Sequence, residues 1–543
     1  MGAVSSRIGI LVTTVVLAAC QDEFANAPLL TLAIDTTAGW HDTVTVTDVD
    51  TLQIKVALAG GASVTGVQVH WQSSNPAKLE VTPLEVQTGQ EKDSLILELR
   101  TVITAHARDS AVIVTAIVDR PGFERRTVSR NITVMERWIA VSAGVRHSCG
   151  LTIGNDAYCW GSGLMGVGPF SAVKPKHVLG ESKFRSVSAG GSALAAFSCG
   201  IVLDGRAFCW GTNSNGELGN GTTIAQLTPV AVAAPLLFES LQTAESFACG
   251  VATDVLNIRS YCWGLDHVGQ LGTRDGLPLD ACSSDVCSLV PRTIDFPVVQ
   301  QGLPTSVALP LSAVAPGGVH TCGVFRTSSS VLRFATGTAA CWGSLEGLVP
   351  GPSLSDTAVA VPGGLQFGAI ASGESHTCAI GKFDRKVYCW GYDTYGQLGN
   401  DSLTTPCADN GRPCRTSPLK VTDGHSFTAI SARGNATCGI TTDSTALCWG
   451  SNAFGVLGTS ASLPTCALNH CSEVPVMVEL PGGGKVVVVS VGLDHACGVT
   501  SVGAAYCWGG GNNSTGGPGS KLGDGVPDNN RPTQLPVRVA EPI

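Results

Sequence analysis

The tripeptide Cys-Trp-Gly occurs seven times along this chain, beginning at Cys159, Cys209, Cys262, Cys341, Cys389, Cys448 and Cys507. The tryptophans that follow, Trp160, Trp210, Trp263, Trp342, Trp390, Trp449 and Trp508, lie 48 to 79 residues apart. Self-similarity at that period means a solenoid or a propeller, because one such unit cannot bury a core without its neighbours. Other landmarks keep their order within each unit. An earlier cysteine precedes each tripeptide: Cys149, Cys199, Cys249, Cys322, Cys378, Cys438 and Cys497. Before it comes a strand ending in glycine, as in Val141-Ser142-Ala143-Gly144, Val187-Ser188-Ala189-Gly190 and Ile370-Ala371-Ser372-Gly373. After the tryptophan comes Gly-x-Asn/Asp-x-x-Gly-x-Leu-Gly, clear at Asn213–Gly219, Asp266–Gly272, Asp393–Gly399 and Asn452–Gly458. A strand with proline near its start, such as Pro229–Val232 or Pro475–Val478, ends most units. Three units depart from the pattern: Gly163–Gly168 is irregular, Ser344–Val349 is shortened, and Gly509–Gly519 carries a Gly/Asn/Ser expansion.

Composition narrows the alternatives. The chain has 543 residues, too many for one ordinary domain. Its 66 glycines and 28 prolines follow no triplet period, which excludes collagen, and 44% hydrophobic content excludes a disordered chain. A net charge of −9 without clustered Lys and Arg argues against a protein held by nucleic-acid phosphates. Many short strands joined by Gly-rich turns fit best.

The first residues read as an address. Met1–Arg7 is a short, weakly basic leader, and Ile8–Val16 is an apolar run far below the roughly 20 residues that span a bilayer. The run ends in Leu17-Ala18-Ala19-Cys20, which resembles the lipobox of bacterial lipoproteins. That resemblance implies a signal peptide over 1–19, cleavage before Cys20, a diacylglyceryl thioether on its sulfur and acylation of its new amino group. Several acyl chains give stable anchoring where one is marginal. Gln21 is not the Asp that keeps many such lipoproteins on the inner membrane, so an outer-membrane or cell-surface location is expected. An ordinary secretory signal with a chance cysteine is the alternative.

After a linker over 20–28, short alternating runs recur: Leu29–Ile34, Thr43–Val49, Leu52–Leu58, Val67–Trp71, Leu95–Val102, Ala111–Val118 and Thr127–Val134. Period-2 patterning broken by Gly, Asn-Pro and Asp predicts a β-sandwich over 29–136. Val67-Gln68-Val69-His70-Trp71-Gln72-Ser73-Ser74-Asn75-Pro76 resembles the strand and turn of bacterial Ig-like domains, with Trp71 the expected core aromatic. Such modules act as spacers or bind partners.

The linked repeat motifs over 137–543 resemble the RCC1 repeat, named after the eukaryotic chromatin-bound exchange factor. The resemblance implies a seven-bladed β-propeller with four antiparallel strands per blade. The fold class is therefore all-β, an Ig-like sandwich followed by an RCC1-type propeller. The ring is expected to close with Trp138–Ala143 sharing a blade with strands of the last repeat.

Setting Cys20 aside, fourteen of the remaining cysteines are the repeat pairs. In the first unit a hairpin with a three-residue loop centred on Gly154 sets Cys149 opposite Cys159, within disulfide reach. The same reasoning pairs 199/209, 249/262, 322/341, 378/389, 438/448 and 497/507. Six cysteines remain as close pairs on equivalent loops of units three, five and six, before the terminal strand: Cys282/Cys287, Cys407/Cys414 and Cys466/Cys471. An exported chain meets the redox condition for ten local disulfides.

Zinc is the competing reading, because His147, His320, His376 and His495 each stand two residues before a repeat cysteine. Other repeats fill that slot with Phe197, Phe247 and Ala436, and His-x-Cys supplies too few ligands, so structural histidines and no metal are expected. Gly482-Gly483-Gly484-Lys485 lacks the Ser/Thr of a phosphate loop and is followed by a strand pattern at Val486–Val489. Leu522-Gly523-Asp524-Gly525 reads as a turn, with calcium a poorer alternative. No catalytic motif or carboxylate pair stands out, so neither enzyme activity nor a cofactor is expected. The expected role is a membrane-anchored binder of a protein or glycan, not of nucleic acid. Asp285, Asp409, Arg412, Asn469 and His470 on the stapled loops are its candidate contacts. Inhibition of an enzyme is the alternative. Nucleotide exchange follows from the family name alone, and fold does not carry function.

Overall fold

The computed structural model describes residues 30–34, 43–45, 49–58, 68–76, 79–83, 96–105, 109–119, 126–135 and 137–540. Within the last span it leaves out 169–170, 194, 255–256, 274–278, 283–284, 301–302, 309–310, 327–334, 402–404, 408–410, 467–468, 511–519 and 528–532. Contacts divide the chain into two units that meet between Glu136 and Arg137.

Among the described residues the first unit carries eight strands: β1 (Leu30–Ile34), β2 (Thr43–Thr45), β3 (Val49–Leu58), β4 (Gln68–Ser73), β5 (Leu79–Pro83), β6 (Ile96–Ala105), β7 (Asp109–Asp119) and β8 (Arg126–Met135). They form two four-stranded sheets, ordered β1-β3-β6-β5 and β2-β8-β7-β4. All pairs are antiparallel except β2 with β8. Alternation sorts the faces of β7: Val112, Val114 and Ala116 are buried, while Ile113 between them is exposed. Trp71 in β4 is partly buried, between the exposed His70 and Gln72. Strand β5 escaped the sequence reading because Leu-Glu-Val-Thr-Pro is short and ends in proline.

The second unit is built on seven antiparallel sheets of four or five strands, each made from one continuous stretch of chain. Blade one runs Trp138–Ala143, His147–Thr152, Ala157–Ser162 and Ser171–His177 from the channel outward. This corrects the expected closure: Trp138–Ala143 pairs with His147–Thr152 of its own blade and shares no sheet with the last repeat. Blade seven is complete with Val486–Val491, His495–Thr500, Ala505–Gly509 and Thr533–Arg538. The second strand of a blade lies between neighbours on both edges and between blades on both faces. His147–Thr152, Phe197–Val202 and His495–Thr500 are accordingly buried at every residue. Blades three, five and six depart from four strands, each adding a short fifth on the outer edge: Asp280–Cys282, Thr405–Pro406 and Thr465–Cys466. The long 263-to-342 spacing is filled by an extra hairpin, Asp295–Gln300 with Leu303–Ala308.

The outer strands of those blades also start earlier than their prolines suggest. They run over Asp285–Thr293, Pro413–Lys420 and Asn469–Met477. The ladder to the third strand breaks at a bulge that holds Pro291 in blade three and Pro475 in blade six, then resumes upstream of the proline.

All seven Cys-Trp-Gly tryptophans are fully buried. Each packs against its own blade and the loop of the preceding one, so truncation to alanine would cost about 3–5 kcal/mol. The indole Nε1 donates across the seam to a loop carbonyl: Trp210 to Met165 at 2.8 Å, Trp263 to Glu217 at 2.9 Å, Trp342 to Gln270 at 3.0 Å. Trp449 reaches Gln397 at 3.0 Å and Trp508 reaches Val456 at 2.7 Å. Ring closure uses the same bond, since Trp160 of blade one donates to Lys521 of blade seven at 2.8 Å. Trp390 is the exception. Its Nε1 has no partner, because blade four's loop over 344–349 is the shortened one.

Candidate functional site

In an antiparallel meander the turn after the first strand and the loop after the third lie at the same end of the sheet. One face of the propeller therefore gathers the Gly-x-Asn/Asp loops, the fifth strands and one mouth of the channel. The Asn or Asp folds its own loop by accepting the main-chain N–H of the motif's leucine. Asn213 Oδ1 accepts from Leu218 and Asp266 Oδ1 from Leu271, both at 2.9 Å. Asp393 accepts from Leu398 and Asn452 from Leu457, both at 3.0 Å. In blades three, five and six the same residue's N–H donates to the second strand of the added hairpin. Asp266 bonds to Val286 at 2.9 Å, Asp393 to Pro413 at 2.9 Å and Asn452 to His470 at 2.7 Å. Burial pushes the Asp266 carboxyl up to about 6 and Asp393 up to about 7.

Disulfides Cys282–Cys287, Cys407–Cys414 and Cys466–Cys471 close these hairpins, with Cα separations of 5.7–5.9 Å. Their placement on loops before the terminal strand is corrected by the structure. Cys287 and Cys471 lie inside the outer strands, opposite Leu265 and Ser451 of the third strand, and both are fully buried. Cys414 likewise pairs opposite Tyr392 within its strand. The reason is the upstream ladder beyond the bulge, which draws the second cysteine of each bridge into the sheet. Cys287 and Cys471 are thus anchors of the hairpins, not part of a surface that could touch a partner. The seven blade bridges join cysteines directly opposite on the second and third strands, at Cα separations of 4.0–4.1 Å.

Of the candidate contacts, Asp285 is exposed, its Oδ1 accepting from the Val286 N–H at 2.9 Å. Arg412 is exposed and stacks its guanidinium 4.4 Å above the Tyr392 ring. Asn469 is half-buried, and His470 is exposed with Nδ1 3.2 Å from the Leu463 carbonyl. Asp409 and Cys20 lie outside the described residues. The structure thus spreads the candidates over three blades instead of gathering them into one pocket. The shortened blade-four loop leaves a groove of about 320 Å3 beside the blade-five hairpin, lined by Glu346, Pro350, Pro352, Pro406 and Arg415.

The histidines bond between blades. His147 Nε2 lies 2.7 Å from Ser198 Oγ, His320 2.9 Å from Thr377 Oγ1, His376 2.8 Å from Thr437 Oγ1, and His495 2.8 Å from Ser148 Oγ. In each case the partner stands just before the next blade's cysteine. Burial drives His147 and His376 down to about 3 and His320 to about 4, so they are neutral hydrogen-bonding groups. Their cysteines are bonded to each other, which leaves the His-x-Cys motif no thiolate for a metal. At the closing seam Lys521 Nζ pairs with Asp494, whose other oxygen is 3.2 Å from His495 Nδ1. Burial opposes the Asp494 charge, but His495 and Lys521 outweigh it and hold the carboxyl below its usual range.

Two features of this face carry no motif in the sequence. Leu522-Gly523 is the Leu-Gly of blade seven, displaced by the expansion before it. A Cβ on Gly523, at φ +68°, would stand 2.7 Å from Trp160 Nε1. The other feature is Arg433. The slot after the inner strand holds Gly144, Gly190, Ala244, Gly317, Gly373 and Gly492 in the other blades, where adjacent backbones nearly touch. A Cβ on Gly317 would stand 2.5 Å from the Gly373 oxygen. Main-chain bonds cross the seams here, from Gly318 N to Gly373 O at 3.0 Å and from Glu374 N to Gly434 O at 2.8 Å. Arg433 fills this slot in blade six and reaches across the channel, its Nη1 donating to Ala189 O of blade two at 2.9 Å. A cavity of about 250 Å3 lies at this mouth, lined by Arg433, Glu245, Glu374 and the inner-strand serines.

Profiles of the Regulator of chromosome condensation (RCC1) repeat match residues 138–166, 204–252, 369–397 and 443–499. The Ultraviolet-B receptor UVR8 of Arabidopsis thaliana is 28% identical over 400 residues, covering 72% of this chain and 80% of the receptor. The probable E3 ubiquitin-protein ligase HERC4 of Homo sapiens is 32% identical over 151 residues, or 27% of this chain and only 13% of the ligase. Among solved structures, Prp20p from Saccharomyces cerevisiae, studied for its binding to Gsp1p and histones, superposes with a TM-score of 0.53 at 19% identity. That match covers 75% of this chain and 87% of Prp20p, and it bears on fold alone.

Proposed function

We propose that this RCC1-repeat, seven-bladed propeller is a non-enzymatic interaction module of a bacterial cell envelope. Lipid on Cys20 holds it at a membrane, and an Ig-like domain over 29–136 spaces it from the surface. The observation that carries the reading is the stapled face. Three added hairpins, each closed by a disulfide and tied to an Asx loop, stand on one end of a rigid ring. Loops fixed before binding lose little entropy when a partner arrives, and recognition concentrates on such loops. The alternation of exposed acid and base, from Asp285 to Arg412 and His470, suits a protein partner better than a glycan. Prp20p, similar in fold, has binding properties toward Gsp1p and histones, so propellers of this kind do hold protein partners. Inhibition of a secreted enzyme is the same reading with an enzyme as the partner.

Two measurements test it. Metabolic labelling with a fatty acid should mark the wild-type chain and not Cys20→Ala, and that variant should leave the membrane fraction. Crosslinking of the full chain in envelope material should capture a defined protein through residues of the stapled hairpins. Unchanged membrane retention of Cys20→Ala overturns the anchor. Crosslinks confined to the opposite face or to the first unit overturn the binding surface.

A further inference from the structure

We propose that the channel mouth on the stapled face binds a compact zwitterion of the α-amino-acid type, its carboxylate on Arg433 and its ammonium between Glu245 and Glu374. This site is separate from the hairpins and does not depend on what they bind.

Arg433 carries the proposal. It replaces a glycine or alanine used by the other blades and spends one guanidinium nitrogen on Ala189 O. Its other terminal nitrogen, Nη2, is buried with no hydrogen-bond partner. A buried guanidinium nitrogen without an acceptor is costly, and Arg433 itself lines the cavity that could supply one. A simple anion would satisfy Arg433 but would face two carboxylates in the same cavity. Burial raises Glu245, and the Glu374 charge adds to that effect while Arg433 opposes it, so the three groups feel one another. A simple cation would meet the guanidinium. A zwitterion answers both.

The carboxylate arm is also built in place. Asn435 Nδ2 donates to Glu374 Oε2 at 3.2 Å, and Gln397 Nε2 donates to Asn435 Oδ1 at 3.3 Å. Gln397 is itself fully buried and accepts the Tyr395 N–H at 2.8 Å. The wall adds donors. Ser142 Oγ accepts from Ala189 N, Ser490 Oγ from Ala143 N and Ser431 Oγ from Val491 N, at 2.9, 2.9 and 3.0 Å. Each hydroxyl keeps its proton to give. A volume of about 250 Å3 falls below the roughly 300–1,000 Å3 of sites for drug-sized ligands, which selects a small solute.

Calorimetric titration of the full chain with glycine and L-alanine tests the proposal, with acetate and methylammonium as the two halves of the ligand. An amino acid should bind at least tenfold more tightly than either half. Arg433→Gly, which installs the residue most other blades carry, should weaken amino-acid binding at least tenfold with an unchanged far-UV spectrum. Glu374→Gln should do the same and serves if Arg433→Gly disturbs folding. Absence of heat with both amino acids, acetate binding as tightly as glycine, or unchanged affinity in both variants would each overturn the site.

Discussion

Replacing Asp266 by asparagine should make the protein more stable at neutral pH and leave it unchanged in acid. Asn213 and Asn452 do in blades two and six what Asp266 does in blade three: a side-chain oxygen accepts the leucine N–H. The substitution therefore keeps the bond and removes only the charge. Asp266 is 8% exposed. Burial raises its carboxyl from 3.8 to about 6. The Leu271 N–H and Arg292 pull the other way, and Asp356 and Asp285 push further up. A carboxyl raised in the folded state holds its proton there after the unfolded chain has released it. Stability is thus fully present below about pH 4, falls as the pH rises through about 6, and is flat above. At 1.36 kcal/mol per pH unit the displacement caps the loss at about 3 kcal/mol. Screening at the rim of the loop brings it to about 1–2 kcal/mol. For a unit of this size that is on the order of 2 °C in Tm. Thermal unfolding at pH 4.5, 5.5, 6.5 and 7.5 reads it directly. Asp266→Asn should lie closest to wild type at the lowest pH, gain up to about pH 6 and hold a constant advantage above it. Asp393→Asn should extend the window toward 7, and the two should add, because they sit in different blades. A Tm for Asp266→Asn below wild type at pH 7.5, or a parallel pH profile, would refute the reasoning.

Gly523→Ala should destabilise by about 1–3 kcal/mol through strained φ and contact with Trp160, whereas Gly363→Ala, at φ +96° with nothing within 4 Å, should show the strain alone; comparison of their urea midpoints separates the two. Trp390→Phe should cost about 1–2 kcal/mol less than Trp449→Phe, because only Trp449 loses an acceptor and orphans one; equal losses in chemical denaturation would contradict this. Replacing 283–286, 408–413 and 467–470 with Gly/Ser links, cysteines kept, should leave Tm within about 2 °C and reduce partner crosslinking severalfold, read by quantitative mass spectrometry.

The propeller was legible because its motifs do physical work that repeats. Cys-Trp-Gly fixes a bridge, a buried indole and a turn at the same place in each sheet. Blade boundaries were not legible, because a repeat can be cut at any phase. Only the ladder between Trp138–Ala143 and His147–Thr152 shows where a sheet begins. The stapled loops were visible as cysteine pairs but not as strands, since two or three residues carry no period. Cys471 is misplaced for a related reason, because Pro475 reads as a strand start, whereas it sits at a bulge inside a longer strand, as Pro291 does in the strand of Cys287. The expansion over 509–519 concealed Leu522-Gly523 by displacing it from its register. Arg433 was concealed differently. It is an ordinary residue in the sequence, and only its place in a slot of glycines makes it unusual. The contacts Asp285, Arg412 and His470 rested on loop position alone, and the structure adds exposure without a shared pocket.

All ten bridges span at most 19 residues, and none crosses from one blade to another. Oxidation can therefore follow the chain as it emerges, each hairpin locking before the next is made, with no need to wait for distant partners. A cysteine always finds its mate on the neighbouring strand, which shields a chain this rich in thiols from scrambled pairing. The seven seams, by contrast, are held without covalent bonds, by hydrogen bonds, packing and, between blades three and four, the Arg326–Glu239 ion pair. Heat or force should then part the ring into covalently intact blades before any blade comes undone, much as a stave-built cask fails between its staves.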